Sequence, residues 1–377
     1  MRRACLSLLV LLGCVGDVDE GRPDASAEAP VDGADGGVLP DAGGAALDSG
    51  TPGVDAGTPG PDAGAGPRSV RVEGRRLLVD EVPFEVRAVA WNPVRRGATH
   101  PGGLDFRGTV EVDAAMMRAA GFNAVRTYVP LTDRVVLDAL HRHGLMVLNT
   151  VYSFGGEDVS VVNQRVRSVA AHPAMLAWLV GNEWNYNGLY VGLSPTASRD
   201  RLNAVMERIR AEDTRLPIVN VYGEVPSAEV IAAMPRTDIW ALNVYRGATF
   251  GNLFTTWASR STRPMMLGEF GADAWNARLP GVDEAAQAFA TEALTRELHR
   301  NWSGDGGVAV GGALFEWCDE WWKDGQGRAD RQDVGGIAPG GGPHPDFTFN
   351  EEWWGLVDIE RRPRQALGAV RRGFGLE

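Results

Sequence analysis

From residue 84 onward, short apolar runs alternate with amphipathic stretches. The runs lie at 84–91, 124–128, 145–151, 176–182, 217–221, 239–245, 264–269 and 308–317. Nearly continuous apolar character over so few residues predicts strands covered on both faces, as in a parallel sheet. Between them, residues 110–120, 133–143, 194–211 and 284–302 repeat apolar side chains at helical spacing. The third of these stretches opens with Ser194-Pro195, a cap residue followed by proline at the first helical position. Eight such strands separated by helices predict an α/β fold, a (β/α)8 TIM barrel. The rival is an open doubly wound sheet, which needs a glycine-rich phosphate turn after its first strand; Trp91-Asn92-Pro93-Val94-Arg95 stands there instead. Ahead of the barrel, residues 70–80 alternate around Gly74, the pattern of a β-hairpin.

The first 67 residues follow neither periodicity. Residues 1–14 combine a positive start, a short apolar stretch and Leu11-Leu12-Gly13-Cys14, which reads as a secretory signal ending in a lipobox-like cysteine. Cys14 is the expected lipidation site. Residues 15–67 are mostly Gly, Ala, Asp, Pro, Ser and Thr, too poor in large apolar side chains to offset the entropy of ordering, so a disordered linker is expected there. Residues 1–67 hold eleven acids and three arginines, so eight of the chain's twelve net negative charges lie in this stretch. The barrel region, 68–377, therefore has no basic stripe for nucleic acid.

With the strands placed, their C-terminal residues become a ring around one mouth, where such barrels keep their chemistry. The ring holds Trp91, Asn92, Arg126, Tyr128, Tyr152, Asn182, Glu183, Tyr222, Asn243, Tyr245, Glu269 and Trp317. Two carboxylates, amides and aromatic faces are what a sugar site uses: one acid to protonate the leaving oxygen, one carboxylate to act at the anomeric carbon. On residue type alone, Arg126 also suits a structural ion-pair partner, Tyr245 a core tyrosine and Trp317 a core indole. Glu316 and Glu320 are expected to stand off the site, the first because it alternates with Trp317. The tryptophans 321, 322, 353 and 354 suit packing first and glucan contact second. None of the six histidines forms a His-x-His pair at a strand end, so no metal site is expected. Nor is there a Gly-x-Ser-x-Gly elbow, and Cys318, after an apolar run, reads as a small buried hydrophobe. No cofactor is called for.

Gly181-Asn182-Glu183-Trp184 and Gly268-Glu269-Phe270-Gly271 resemble the fourth-strand and seventh-strand signatures of clan A glycoside hydrolases. Gly121 to Arg126 is similar to the clan's second strand, and Tyr245 to its sixth-strand tyrosine. The opening hairpin resembles the barrel-plugging hairpin of families 2 and 5. The 315–323 and 354–358 segments resemble the last strand and closing segment of bacterial members near families 2, 17 and 72, some of which act on β-glucans. The resemblance covers residues 68–377. It implies a retaining glycoside hydrolase with Glu183 as general acid/base and Glu269 as nucleophile. It further implies that Arg126 and Tyr245 orient Glu269, that Asn182 contacts the sugar 2-hydroxyl, that Trp317 floors the subsite, and that Trp91, Asn92 and Tyr128 help to bind substrate. The expected substrate is a poly- or oligosaccharide, namely a β-glucan with β-1,3 linkages. A glucan transglycosylase of the same fold and a non-catalytic carbohydrate-binding lipoprotein are the alternatives. The expected setting is a monomer held by lipid alone at a bacterial cell envelope, or secreted if the lipobox is not used.

Mass spectrometry of the mature N-terminus should find Cys14 as the first residue, carrying lipid. An unmodified start beyond Cys14 would remove the anchor.

Overall fold

A computed structural model describes residues 66–323, 328–334, 336–337 and 342–376. The expected leader, the lipidation site Cys14 and the linker as far as residue 65 lie outside the described residues.

Eight parallel strands close into a barrel. They are β1 (Val86–Ala90), β2 (Ala124–Arg126), β3 (Met146–Tyr152), β4 (Met175–Val180), β5 (Ile218–Gly223), β6 (Ile239–Asn243), β7 (Met265–Phe270) and β8 (Ala309–Leu314). Each pairs with the next in sequence, and β8 returns to β1 through Gly311↔Val86 to Leu314↔Val89. That closure needs glycine: Gly311 has φ +122, and a Cβ there would fall 2.1 Å from the Val86 carbonyl oxygen. Almost every strand residue is buried, as the apolar runs require.

Around the strands run α1 (Phe106–Ala119), α2 (Arg134–Arg142), α3 (Val161–Val169), α4 (Pro195–Glu212), α5 (Ala228–Ala232), α6 (Leu253–Arg260), α7 (Glu284–Arg300) and α8 (Gln365–Gly373). Polar caps set several of their starts. Asp105, Asp133, Ser194 and Asp283 accept from the backbone N–H groups of Gly108, Val135, Ala197 and Ala286, satisfying donors that the first helical turn leaves unpaired.

A three-stranded antiparallel sheet precedes the barrel: Val70–Glu73, Arg76–Val79 and Val82–Pro83. Val70, Leu77 and Val79 join the main core, and Arg75 donates to the carbonyl oxygen of Ser261, just ahead of β7. The sheet thus covers the end of the barrel opposite the strand C-termini.

After β8 the chain makes a long excursion before α8 packs against α7. One buried ion pair pins this return. Arg364 donates through Nη1 and Nη2 to the two oxygens of Asp319, 2.6 Å each, and from Nη1 to the Gly355 carbonyl at 2.7 Å. Asp319 also accepts from Gly355 N–H and from Gln332. Removing one member leaves a buried, uncompensated charge, so Arg364→Ala should cost about 3–5 kcal/mol, read as a lower denaturant midpoint. Replacing both partners with apolar residues of similar volume should cost less.

Candidate active site

β1, β2, β4, β6 and β8 end earlier than the apolar runs suggest, because there the backbone leaves the ladder for the following loops, whereas β3, β5 and β7 run one or two residues further. Asn92, Tyr128, Asn182, Glu183, Tyr245 and Trp317 therefore lie beyond strand ends, whereas Arg126 closes β2 and Glu269 stays within β7.

Glu269 is 7% exposed and meets three donors. Arg126 Nη1 and the Tyr128 hydroxyl reach Oε1 at 3.0 and 2.9 Å, and the Tyr245 hydroxyl reaches Oε2 at 3.0 Å. Both oxygens are thereby used as acceptors and the carboxylate cannot swing. Burial holds both phenols well above their ordinary range, which keeps their protons available for donation.

Arg126 is fully buried beneath this group. Nη1 also donates to the Gly268 carbonyl at 2.7 Å, and Nη2 donates to Asn182 Oδ1 at 2.7 Å. Asn182 is held again by Asn243 Nδ2 at 3.3 Å, while its own amide donates to the Tyr190 hydroxyl at 3.0 Å. One guanidinium thus fixes groups on β7 and on the loop after β4.

Glu183 follows Asn182 at the start of a helical turn, Trp184–Asn187, with φ +46 and ψ +36. A non-glycine residue in this left-handed region is strained, and its surroundings hold it there. Trp184 is buried and donates to Asn220 at 2.9 Å; Asn187 donates back to the Asn182 carbonyl at 2.6 Å. Gly181, at φ +70, makes room: a Cβ would lie 2.8 Å from the Trp184 ring. Burial first, and the charge of Glu269 next, push the Glu183 carboxyl up to about 8, against the opposing pull of Asn243 and Arg126. At neutral pH it is a proton donor standing beside a carboxylate.

Both glutamates line a cleft of about 450 Å³, together with Asn92, Tyr128, Asn182 and Tyr245. The remaining expected residues lie elsewhere. Trp91 is buried behind the mouth, donating to Asp113 at 2.9 Å with its ring edge-on to Phe106. Trp317 is fully buried in the main core and is not the floor of the cleft. The strand ends at Leu314, so alternation no longer decides which side chain faces the mouth, and Phe315 and Trp354 form the wall instead. Tyr152 turns to the Glu157 carbonyl, Tyr222 packs edge-on to Trp184, and Asn243 supports Asn182 from behind.

The wall also contains residues that the sequence did not single out. Lys323 Nζ lies 2.9 Å from Glu320, 3.6 Å from Glu316 and 3.7 Å from Glu351, and 4.1 Å from the centroid of the Phe315 ring. Burial disfavours its charge, but the three carboxylates outweigh that and hold the ammonium above its usual range. Glu320, expected to stand off the site, lines the cleft and accepts from Asn92. Trp322 lines it too, stacked on His100 at 5.2 Å, while Trp321 lies under Arg96 and Trp353 tilts against Trp275. His100 is kept low by burial. No periodic pattern runs through 315–354, so Lys323 and Glu351 went unmarked for the cleft, while Trp322, set down for packing first and glucan contact second, does line it.

Among the described residues no group of three or more His, Cys, Asp or Glu is placed to hold a metal ion. Cys318 is buried and its thiol is pushed well up, as suits a small hydrophobe.

No family model matches the chain. It is 25% identical over 262 residues to the β-glucuronidase of Mus musculus, a stretch covering 63% of this chain and 38% of that protein. The β-glucuronidase of Pongo abelii is 25% identical over 233 residues, 55% of this chain and 34% of its own length. The chain thus spans well under half of the curated relatives it matches. Among solved structures, the GH2 β-galacturonidase from Eisenbergiella tayi bound to galacturonate superposes with a TM-score of 0.59 at 16% identity, covering 82% of this chain and 54% of that one. The Faecalibacterium prausnitzii β-glucuronidase gives 0.58 at 18% identity, covering 82% and 52%. These structures share the barrel fold with this chain.

Because the charge of Glu269 is the second cause of the Glu183 shift, Glu269→Gln should lower the Glu183 pKa from about 8. A carboxyl-carbon NMR titration checks this. An unmoved Glu183 would mean that burial acts alone.

Proposed function

We propose that this chain is a retaining glycoside hydrolase acting on β-linked glycans, with Glu269 as nucleophile and Glu183 as general acid/base. The reading rests on one observation: a carboxylate held by three donors shares a cleft with a carboxyl whose pKa is raised to about 8. In the first step, a Glu269 oxygen attacks the anomeric carbon. The bond to the leaving oxygen breaks as Glu183 delivers its proton there, leaving a glycosyl ester and a Glu183 carboxylate. In the second step, that carboxylate takes a proton from water, the water oxygen attacks the anomeric carbon, and Glu269 departs as a carboxylate. Asn182 has one amide hydrogen committed to Tyr190 and a second to offer the sugar 2-hydroxyl, a bond that strengthens as positive charge develops on the ring.

The names of the relatives point to uronides. The charge of the cleft favours a neutral sugar: of its two lining cations, Lys323 already faces three carboxylates, two of which line the cleft, and Arg165 is paired with Glu157. A uronate would have to compete with those acids, whereas hydroxyl groups can donate to them. We therefore keep a β-glucan as the substrate, with Trp322 as a stacking face, and place the enzyme at a cell envelope through lipid on Cys14.

Glu269→Ala should abolish turnover, with azide restoring it as an inverted α-glycosyl azide. Glu183→Ala should lower turnover of an alkyl glycoside by about 10²–10⁴-fold and spare an aryl glycoside with an acidic phenol. Inverted product from the wild-type protein would refute the assignment. Laminari-oligosaccharides should be cleaved in preference to an aryl β-glucuronide, and Trp322→Ala should weaken long oligosaccharides more than small aryl glycosides. Preference for the glucuronide would favour the uronide reading and leave the mechanism standing. Lengthened products would mark a transglycosylase.

A further inference from the structure

Four residues beyond Glu269, the loop after β7 meets the segment 346–350 in a buried cluster of oxygens outside the cleft. Asp273 and Asn350 are 1% exposed and Asp346 is 6% exposed. No ion pair reaches either aspartate among the described residues. Asn350 Nδ2 lies 3.1 Å from Asp273 Oδ1, 3.3 Å from the Trp275 carbonyl oxygen, 3.4 Å from Asp346 Oδ2 and 3.4 Å from the Thr348 carbonyl oxygen. An amide nitrogen has two hydrogens and cannot serve four acceptors. The other end of the same buried amide, Oδ1, has no hydrogen-bond partner among the described residues.

Both mismatches have one remedy. Turned about, the amide would bring Oδ1 to the four oxygens, an arrangement that a positive ion among them would hold. We propose that Asp273, Asp346 and Asn350, with the carbonyl oxygens of Trp275 and Thr348, form a binding site for a hard divalent cation, calcium above all. Five oxygens, two of them carboxylate and two carbonyl, are the donor set that calcium takes, with water completing the shell; sulfur- or nitrogen-seeking metals find no donor here. The backbone already shapes the carboxylates: Trp275 N–H donates to Asp273 Oδ1, Thr348 N–H to Asp346 Oδ1 and Ala277 N–H to Asp346 Oδ2. A cation here would tie the loop of the proposed nucleophile's strand to the segment carrying Phe349 and Glu351, both on the cleft wall.

Terbium, a luminescent surrogate for calcium, tests the site in the full chain after treatment with EDTA. Trp275, whose carbonyl is a proposed ligand, should sensitise saturable terbium emission. Calcium should displace the terbium, and calcium alone should raise the melting temperature. Asp273→Asn and Asp346→Asn should each weaken terbium binding by at least about tenfold, the loss typical even of a residue that merely supports a ligand. Trp275→Phe should dim the emission while the calcium-induced rise in melting temperature persists. Wild-type protein with no saturable emission, or with a melting temperature unmoved by millimolar calcium, overturns the proposal. So does emission that survives in both aspartate variants, because the ion then lies elsewhere.

Discussion

A single buried guanidinium organises the mouth of this barrel. Arg126 reaches no solvent, and its two terminal nitrogens hold the Glu269 carboxylate, the Gly268 carbonyl and the Asn182 amide. Burying that charge is tolerable only because Glu269 lies against it, and a carboxylate so deep is tolerable only because of Arg126. Each is the other's counterion. The two tyrosines take up the acceptor capacity that Arg126 leaves on Glu269, and Glu183 is pressed toward its neutral form by burial first and by the charge of Glu269 next, with Arg126 pulling the other way. One cation on β2 thus holds Glu269 in place as the carboxylate, while burial does most to keep Glu183 a proton donor.

The sequence made this part of the molecule legible because barrel geometry is periodic. Eight apolar runs carry eight strands, and polar residues at their ends converge wherever the barrel closes. That is why Glu183, Glu269, Arg126, Asn182, Tyr128, Tyr245 and Asn92 come together as expected. The rule fails at Trp91 and Trp317, where strand alternation was extended past the point at which the ladder stops. Trp91 lies one residue past β1 and Trp317 three past β8, and both indoles turn into the core.

The far wall follows no such rule. Phe315, Trp322, Lys323, Phe349, Glu351 and Trp354 come from an excursion after β8 whose path is set by particular tertiary bonds, chiefly the Arg364–Asp319 pair and the hydrogen bonds around Asn350. Periodicity cannot forecast contacts between loops, because each depends on where its partner already lies. The two glutamates and their donors are therefore written on the strands and the turns that follow them, and the far wall of the cleft on the return to α8.

The backbone at Glu183 carries a further consequence. A glutamate in the left-handed region, half-buried and pushed toward neutrality, is a poor choice for a stable fold; glycine or asparagine would rest there with less strain. Sequences drifting under selection for thermostability alone would lose this side chain early. Its presence fits the proposed general acid/base role, for which the local strain is the cost. Thermostabilised variants of this barrel are accordingly best sought away from the 181–187 turn, where relieving the strain would also remove the proposed acid.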